Sequence, residues 1–374
     1  MKKIFLSFFF VLLVVFCNAS TRTIADGGGN FNAIGTWVEG AVPVAGDAVV
    51  ATGTSGQLTV NVASGGIGLL SVNFTNYTNT LTMSNTLTVS GNVTLVAGMT
   101  ITGTSDLIIN ATGTLTSNGK TFSGGIQFNT GTITFADNWT VTGGLTTTAT
   151  TTLNGTNLTF GGNFNDNAAT LGTISLIWNG SGSSTWSGNH NMNQNFEVAG
   201  TGTFIISGTV AISGSKTLKF TSAASVVTTG STMGSNNNNP TYTINMAGIT
   251  FNNLTASSNI IFNGTNGCSF AGTFTTTTAG VNHTFQTGNT YTFNSTSTVT
   301  WTATSGTPVV IKSSDAVTKA ILTCVAGATL NLSFVSGTRI DSSGGQTVMD
   351  NRGTLISTIN WTRTPLTGVA IFFR

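Results

Sequence analysis

Three aspartates recur at intervals of about thirty residues: Asp106, Asp137 and Asp166. Glycoside hydrolysis uses two carboxyl groups about 5 to 9.5 Å apart across the sugar, one of them as a general acid. If successive turns of the chain stack, aspartates with this spacing can face one groove and form such a pair. If they do not meet, they are residues of solvated turns, which favour Asp because its carboxylate accepts backbone hydrogen bonds.

Few other side chains of this sequence can do chemistry. The 374 residues include 12 Lys+Arg, 10 Asp+Glu, two His and three Cys. Neither His190 nor His283 stands in a metal-ligand spacing with Cys, Asp or the other His, and the residues around His283 indicate the polar side of a strand. We therefore expect no metal site, no cofactor and no enzymatic activity.

Residues 178–195 combine aromatic rings with amides and hydroxyls. This stretch holds Trp178, Trp186 and His190 among Asn, Gly and Ser. Aromatic faces beside amides suit the C–H patches and hydroxyls of sugar rings, so these three residues are candidate glycan contacts. The alternative is that both Trp fill the core, which suits an indole whose N–H finds a partner.

Short runs of alternating apolar and small polar residues surround these candidates, for example residues 86–90 (TLTVS) and 91–95 (GNVTL). Such alternation is typical of half-buried strands, and Asn, Gly and Ser between the runs keep each strand short. The sequence predicts an all-β fold: a single elongated parallel β-helix (β-solenoid) with capped ends. Arrays of β-sandwiches also alternate, but their strands recur every ~8 to 12 residues with longer connections.

Four similar segments each open a group of further short strands, at residues 70–74, 126–129, 196–199 and 249–252. They lie 56, 70 and 53 residues apart. These intervals fit about three coils of ~18 to 23 residues each if the longer one contains an insertion. About fifteen coils at ~4.8 Å each would make a rod on the order of 70 Å long.

The N-terminus has the pattern of a secretory signal peptide: Lys2-Lys3, an apolar run from Ile4 to Cys17, and a cleavage site after Ala19. The run is shorter than the ~20 residues that a spanning helix needs. We expect an exported mature chain with no membrane span. Its ten basic and ten acidic residues include no cluster of Lys and Arg for phosphates, so nucleic acid is not an expected partner.

Composition hardly changes between residues 50 and 335. After the signal peptide (1–19) we expect an N-terminal cap and first coil (20–56), the solenoid body (57–335) and a closing segment (336–374). Cys268 and Cys324 lie in the mature chain. In an exported protein they form a disulfide if the fold brings them together, and otherwise they are two separate buried thiols.

Both ends of the chain resemble known proteins. Gly35-Thr36-Trp37, residues 40–43 (GAVP) and 45–50 (AGDAVV) resemble the opening of bacterial surface β-helix proteins and, less completely, of the G8-type domain. Residues 309–313 (VVIKS) and 340–345 (IDSSGG), followed by Asn360-Trp361, resemble the closing segment of repetitive β-solenoid proteins on bacterial surfaces and in phage appendages. The resemblance implies a β-solenoid in an extracellular setting and brings no catalytic residue.

The cap residues also have a physical interpretation. Pro43 fixes a turn, Asp47 can accept hydrogen bonds from nearby backbone N–H groups, and Trp37 can lie across the apolar mouth of the first coil. Trp361 would close the last coil in the same way. All four are therefore expected to be structural residues.

These observations favour a secreted or cell-surface β-solenoid with a structural or adhesive role, which binds an extracellular glycan or surface polymer or associates with copies of itself. The alternatives are a polysaccharide-degrading β-helix enzyme and a phage appendage or receptor-binding protein, against which the signal peptide argues. A face that orders water or ice would need T-x-T columns in register, whereas the Thr runs at residues 146–148 and 150–152 are irregular.

Overall fold

The computed structural model describes residues 19–62, 68–148, 150–167, 170–187, 190–192, 195–212, 217–221, 225–234, 241–251, 253–350, 354–356 and 358–363. Within these residues the chain forms short strands and one 3-10 turn, Ile34–Thr36. The strands pair in parallel with those of the preceding and following turns. The all-β parallel β-solenoid is therefore confirmed. Of the predicted signal peptide only residue 19 is among the described residues.

The strands follow one another in a fixed order and form three sides of each coil. Side 1 contains β1 Thr21–Thr23, β3 Ala48–Val50, β6 Ser71–Asn73, β9 Val93–Thr94, β12 Gly113–Thr116, β15 Gly131–Phe135, β18 Thr151–Gly155, β21 Thr170–Leu171, β24 His190–Met192, β30 Leu254–Ala256, β32 Thr273–Thr276, β35 Thr298–Thr302 and β38 Thr329–Ser333.

Side 2 follows side 1 in every coil. It contains β2 Gly29–Asn30, β4 Leu58–Val60, β7 Thr80–Met83, β10 Thr100–Gly103, β13 Thr121–Phe122, β16 Trp139–Val141, β19 Asn157–Phe160, β22 Ser175–Trp178, β25 Phe196–Val198, β27 Thr217–Phe220, β33 Asn282–Phe285, β36 Val309–Ser313, β39 Val335–Thr338 and β42 Leu355–Ile356.

Side 3 completes the coil with β5 Gly68–Leu69, β8 Leu87–Val89, β11 Leu107–Ile109, β14 Ile126–Phe128, β17 Leu145–Thr147, β20 Phe164–Asp166, β23 Ser183–Ser187, β34 Thr290–Phe293, β37 Ala320–Cys324 and β40 Ile340–Asp341. Four long strands turn a corner and serve two sides: β26 Thr203–Ile212, β28 Ser225–Gly234, β29 Thr241–Phe251 and β31 Asn259–Phe270. β41 Val348–Asp350 and β43 Trp361–Arg363 pair at the C-terminal end.

About 13 turns stack along the rod, slightly fewer than the fifteen predicted. At ~4.8 Å per rung the described solenoid is about 60 Å long. On side 3 the paired residues Leu107, Ile126, Leu145 and Phe164 follow at intervals of 19 residues. The later coils are longer, and Val299 pairs with a residue 31 positions further on.

The 70-residue interval in the sequence pattern is not an insertion. It runs from Ile126 on side 3 to Phe196 on side 2, so it does not span a whole number of coils. Residues 178–195 contain the ordinary strands β22, β23 and β24. This part of the sequence prediction was wrong because similar strand sequences occur on different sides.

One continuous apolar core fills the inside of the rod. Alternation points every second residue of a strand inward, and register places these residues above one another. On side 3 the inward column runs through Leu145, Phe164 and Trp186. Because a coil alone cannot bury its apolar side, stability depends on contacts between neighbouring coils.

The N-terminal end is closed by the segment that follows β2. Residues 36–38 pair antiparallel with residues 23–25 along the outer edge of β1, through the bridge between Ile24 and Trp37. Trp37 is buried, and its Nε1 donates to the carbonyl of Phe31 at 3.0 Å. Unpaired strand edges template aggregation, so this segment protects the first coil.

Two carboxylates hold the N-terminal cap. Glu39 accepts a hydrogen bond from Thr23 N at 2.8 Å. Buried Asp47 accepts from the backbone N of Ser20 and of Val44, and forms an ion pair with Arg22 Nε at 2.9 Å. Burial opposes ionisation of Asp47, but Arg22 and the backbone donors hold its pKa below the usual range. The predicted role of Asp47 is confirmed.

Glycines occupy the corners between sides 2 and 3. A Cβ on Gly180 would lie 2.2 Å from the carbonyl oxygen of Gly161, and one on Gly200 would lie 2.2 Å from that of Gly180. Both glycines are thus placed where the backbone of the preceding coil leaves no room for a side chain. In the same corner Gly182 has open space around its Cβ position.

Candidate functional site

The three aspartates of the predicted hydrolytic pair lie apart. Asp106 precedes β11 at the corner between sides 2 and 3, and its Oδ1 accepts from Gly125 N at 2.8 Å. Asp137 lies at the corner between sides 1 and 2 and accepts from the backbone N of Ser117 and Asn118. Asp166 points into the core at the end of β20, where Thr147 Oγ1 donates to it at 2.7 Å.

Asp106 borders an open groove of about 360 Å³ on side 3, between Gly125, Gly144 and Asn163. Neither Asp137 nor Asp166 lines this groove. The arrangement of two carboxylates across one bound sugar is therefore not formed by these three aspartates.

Asp106 instead shares its position with a series of asparagines. Asn163, Asn195 and Asn253 each stand directly before a strand, and the Oδ1 of each accepts a backbone N–H of the next coil at 2.9, 3.1 and 3.0 Å. Each of these bonds joins a corner of one coil to the next coil, and a hydrogen bond typically contributes about 0.5 to 1.5 kcal/mol, so these corner residues support the stacking of coils. Asn before an alternating run is the sequence signal for these corner residues.

The two tryptophans proposed as glycan contacts belong to the core. Trp178 and Trp186 are 0% and 1% exposed. Trp186 stacks on Phe196 at a centroid distance of 4.6 Å, and Trp178 lies 4.9 Å from Phe204. Neither ring presents a face to the outside, so the glycan-contact prediction is corrected for both, and the core alternative is the right one. Trp178 Nε1 has no hydrogen-bond partner among the described residues.

His190, the third glycan-contact candidate, begins β24 on side 1. Its side chain lies outside the part of the chain that the structure describes. The prediction for His190 therefore stays a prediction.

The outward neighbours of the buried aromatic residues line a groove of about 420 Å³ on side 2. It runs across β19, β22, β25 and β27, and its lining includes Asn157, Ser175, Ile177, Asn195, Glu197 and Lys219. The sequence prediction of a glycan site named Trp178 and Trp186 and missed the groove residues, which alternate with buried residues along the same strands. Alternation was the signal that would have found them.

One ion pair crosses two rungs of this groove. Glu197 pairs with Lys219 in the ladder, and Lys219 Nζ lies 3.2 Å from Glu197 Oε1. Thr221 Oγ1 donates to the same oxygen at 2.8 Å. The side chain of Glu197 is 28% exposed and that of Lys219 is 44% exposed, so both charged groups are accessible from the groove. The charges of Glu197 and Lys219 cancel, so the described lining of the groove carries no net charge.

On side 1 threonines lie in register over successive coils. Thr255, Thr275 and Thr300 form one column, and the second contains Thr273, Thr298 and Thr329. Further towards the N-terminus, Thr114 pairs with Thr134, and Thr132 with Thr152, which pairs in turn with Thr170. The expectation that the Thr residues are irregular on the surface is corrected in part: these columns are in register, but Asn154 follows Thr134 and Asn331 follows Thr300. Coils of unequal length hide this register in the sequence.

His283 lies inside the rod, so its expected position on the polar side of a strand was wrong. It is 0% exposed and stands in the ladder between Ile260 and Ile311. Its Nε2 lies 2.8 Å from Thr276 Oγ1, and its Nδ1 has no partner among the described residues. Burial lowers the pKa of His283 to about 3. The imidazole is therefore neutral at physiological pH.

Cys268 and Cys324 are two free buried thiols. Cys268 pairs with Tyr291 and Cys324 with Phe293, so the thiols stand two rungs apart, at about 9.6 Å or more between backbones. A disulfide needs Cα atoms within about 7 Å, so the possible disulfide is corrected to separate thiols. Burial raises the pKa of Cys324 to about 12 and that of Cys268 well above its usual value, which keeps both protonated.

Within the described residues no three His, Cys, Asp or Glu side chains come together as a metal site, and no helix is long and apolar enough to cross a membrane.

No family model matches the chain, and searches of curated proteins and of solved structures find no similar protein. The β-solenoid fold that the resemblance of the two chain ends implied is supported, whereas membership of a family of bacterial surface or phage proteins is not.

Proposed function

We propose that this chain is a secreted or cell-surface structural rod with an adhesive role, which holds neutral glycans through the groove on side 2. The observation that carries the proposal is this groove of hydroxyls and amides around the Glu197–Lys219 pair. Export is proposed from the N-terminal signal pattern of residues 1–19. A mature chain with little charge suits contacts made by hydrogen bonds.

The geometry of the groove supports a sugar ligand in particular. Ser175 and Asn195 offer polar groups, while Ile177, two residues further along the strand of Ser175, offers an apolar surface for sugar C–H groups. The carboxylate of Glu197 is held by Lys219 and Thr221 through Oε1. A carboxylate oxygen is a strong acceptor for a ligand hydroxyl. The volume of about 420 Å³ is at the lower end of ~300 to 1,000 Å³ for ligand sites, which fits a short glycan segment.

An enzymatic role has less support than adhesion. Asp106, Asp137 and Asp166 are engaged with backbone or hydroxyl groups at separate places. Glu197 is the single carboxylate lining the side 2 groove, whereas hydrolysis uses two. We propose that the rod binds polysaccharide without cleaving it.

The test is co-sedimentation of the purified mature chain with a panel of insoluble neutral polysaccharides, together with an assay for new reducing ends. Ser175→Trp fills the groove, and Glu197→Gln removes the charged acceptor. We expect Glu197→Gln to weaken binding about tenfold, the loss of one hydrogen bond to a charged group. Ser175→Trp should weaken binding at least as much, because the indole occupies the groove. Thr284→Trp, at an outward position of β33 on the same side, is the matched control.

Two results would contradict the proposed function. One is the absence of binding to every polysaccharide and to cell-wall material. The other is release of reducing ends by the mature chain, which would support the polysaccharide-degrading alternative. Equal binding by Ser175→Trp and wild type would move the glycan site away from this groove.

A further inference from the structure

We propose that side 1 is an ice-binding face, whose in-register threonines hold an ordered layer of water against an ice crystal. This goes beyond glycan adhesion and uses a different side of the rod. It rests on the register of the threonine columns, on the absence of charge and on the spacing of the rungs.

The threonine columns extend along both described ends of side 1. Towards the C-terminus the T-x-T pairs of β32 and β35 lie in register: Thr273 with Thr298, and Thr275 with Thr300. Towards the N-terminus Thr134 of β15 pairs with Thr114, and Thr132 of the same strand pairs with Thr152. Chemically equal groups thus repeat at the two spacings of a parallel sheet.

Threonine suits a rigid face of this kind. It is β-branched, so its χ1 angle is restricted and its hydroxyl and methyl groups stay in fixed places on a strand. Thr114 and Thr134 are exposed, and Thr275 and Thr300 are half-buried by their neighbours. Methyl groups between fixed hydroxyls limit the ways in which adjacent water can hydrogen-bond.

Charge is absent where the columns run. From β6 to β38, the described outward side chains of side 1 are Ser, Thr and Asn. A charged group would hold its own hydration shell, which differs from the tetrahedral order of ice. Side 2 carries Glu197, Lys219 and Lys312, and side 3 carries Asp341, so the uncharged columns distinguish side 1.

The spacing of the rungs fits hydrogen-bonded water. Rungs lie ~4.8 Å apart and alternate residues of a strand ~6.7 Å apart. In a tetrahedral network, two waters bonded to a common neighbour are about 4.5 Å apart, since each O–H···O bond is about 2.75 Å long. Hydroxyls of successive rungs can therefore each hold one water of a single ordered row.

The experiment measures incorporation of the purified mature chain into slowly growing ice, and inhibition of ice recrystallisation. The test variant is the double substitution Thr134→Lys and Thr275→Lys, which places one ammonium in each group of columns. The control is Thr284→Lys, at an outward threonine of side 2. Far-UV circular dichroism and thermal unfolding establish that all three chains are folded.

We expect wild type and Thr284→Lys to be enriched in the ice and the double variant to be incorporated about tenfold less, because an ammonium must lose its hydration shell at the crystal surface. The proposal would be overturned if the wild-type protein stayed in the liquid, as a protein that does not bind ice does. It would also be overturned if the double variant were incorporated into ice as well as wild type. Binding of neutral polysaccharide that the double variant loses, without any ice binding, would assign side 1 to glycans instead.

Discussion

Trp361 Nε1 donates a hydrogen bond to Ser342 Oγ at 2.7 Å, and this contact closes the C-terminal end of the rod. Trp361 is 6% exposed and Ser342 is fully buried. Asn360, the neighbour of Trp361, donates through Nδ2 to the carbonyls of Ser342 and Gly345. The two sequence patterns of the closing segment, residues 340–345 and Asn360-Trp361, therefore form one hydrogen-bonded unit.

Ser342→Ala should destabilise the closing segment. The substitution leaves the buried indole N–H of Trp361 without its acceptor, which costs about 1 to 3 kcal/mol. Thr362→Ala, at an exposed residue beside Trp361, is the control and should change the free energy of unfolding by less than about 0.5 kcal/mol. Urea denaturation monitored by tryptophan fluorescence measures both. Equal stability of the two variants would show that the contact contributes nothing.

Asp47→Ala should loosen the N-terminal cap. It removes the acceptor of two backbone N–H groups and leaves Arg22 without its buried partner, at a cost of about 3 to 5 kcal/mol. Asp26→Ala, at an exposed aspartate of the same region, should be close to neutral. Limited trypsin proteolysis of the mature chain followed by mass spectrometry would show faster cleavage after Arg22 in Asp47→Ala alone. Unchanged cleavage would contradict the role assigned to Asp47.

Gly180→Ala and Gly182→Ala should differ strongly although they lie in one corner. A Cβ at residue 180 meets the carbonyl oxygen of Gly161 at 2.2 Å, whereas one at residue 182 meets nothing within 4 Å. Overpacking of this kind costs about 1 to 3 kcal/mol. Gly182→Ala should leave the melting temperature unchanged or raise it slightly. A similar melting temperature for both variants would refute the tight stacking of these corners.

His283 should make the protein less stable as pH falls from about 6.5 to 5. Its folded pKa is lowered to about 3 by burial, so the unfolded chain binds the proton first. The contribution is therefore fully present above about pH 6.5 and falls by about 1.4 kcal/mol per pH unit below it. His283→Leu should remove this slope, since its ladder neighbours Ile260 and Ile311 are aliphatic.

Urea denaturation at pH 5, 6 and 7 measures this dependence, in a range where most carboxylates remain ionised. Thr284→Ala, at the outward neighbour of His283 on β33, is the control and should keep the slope of wild type. A slope that persists in His283→Leu would place its origin elsewhere.

The fold was predictable because the alternation of apolar and polar residues is a local pattern. Whether a single side chain points inward or outward depends on its place in that alternation. Val281, His283 and Phe285 alternate, and all three point inward. The phase thus gave the right side for His283, and the polarity of imidazole suggested the wrong one. In the same way, Leu176 and Trp178 are inward neighbours of the groove residue Ile177.

Contacts between coils were not predictable from the sequence. Coils of 18 to 31 residues hide which threonines share a column, and they hide that Cys268 and Cys324 are two rungs apart. The groove around Glu197 also depends on register, since Lys219 reaches it from the next coil. When the repeat length varies, the sequence indicates whether a side chain points into or out of the rod, but it does not indicate which residue of the next coil lies beside it.

The dependence of adhesion on salt tests the central proposal most directly. The bound fraction of the mature chain on an insoluble neutral polysaccharide is measured at about 0.05 and about 0.5 M NaCl. Over this range the electrostatic screening length falls from ~14 to ~4 Å. Contacts made by hydroxyls, amides and one internally neutralised ion pair predict a bound fraction that changes little. Loss of most binding at the higher salt would mean that charge holds the ligand, and it would contradict a neutral adhesive rod.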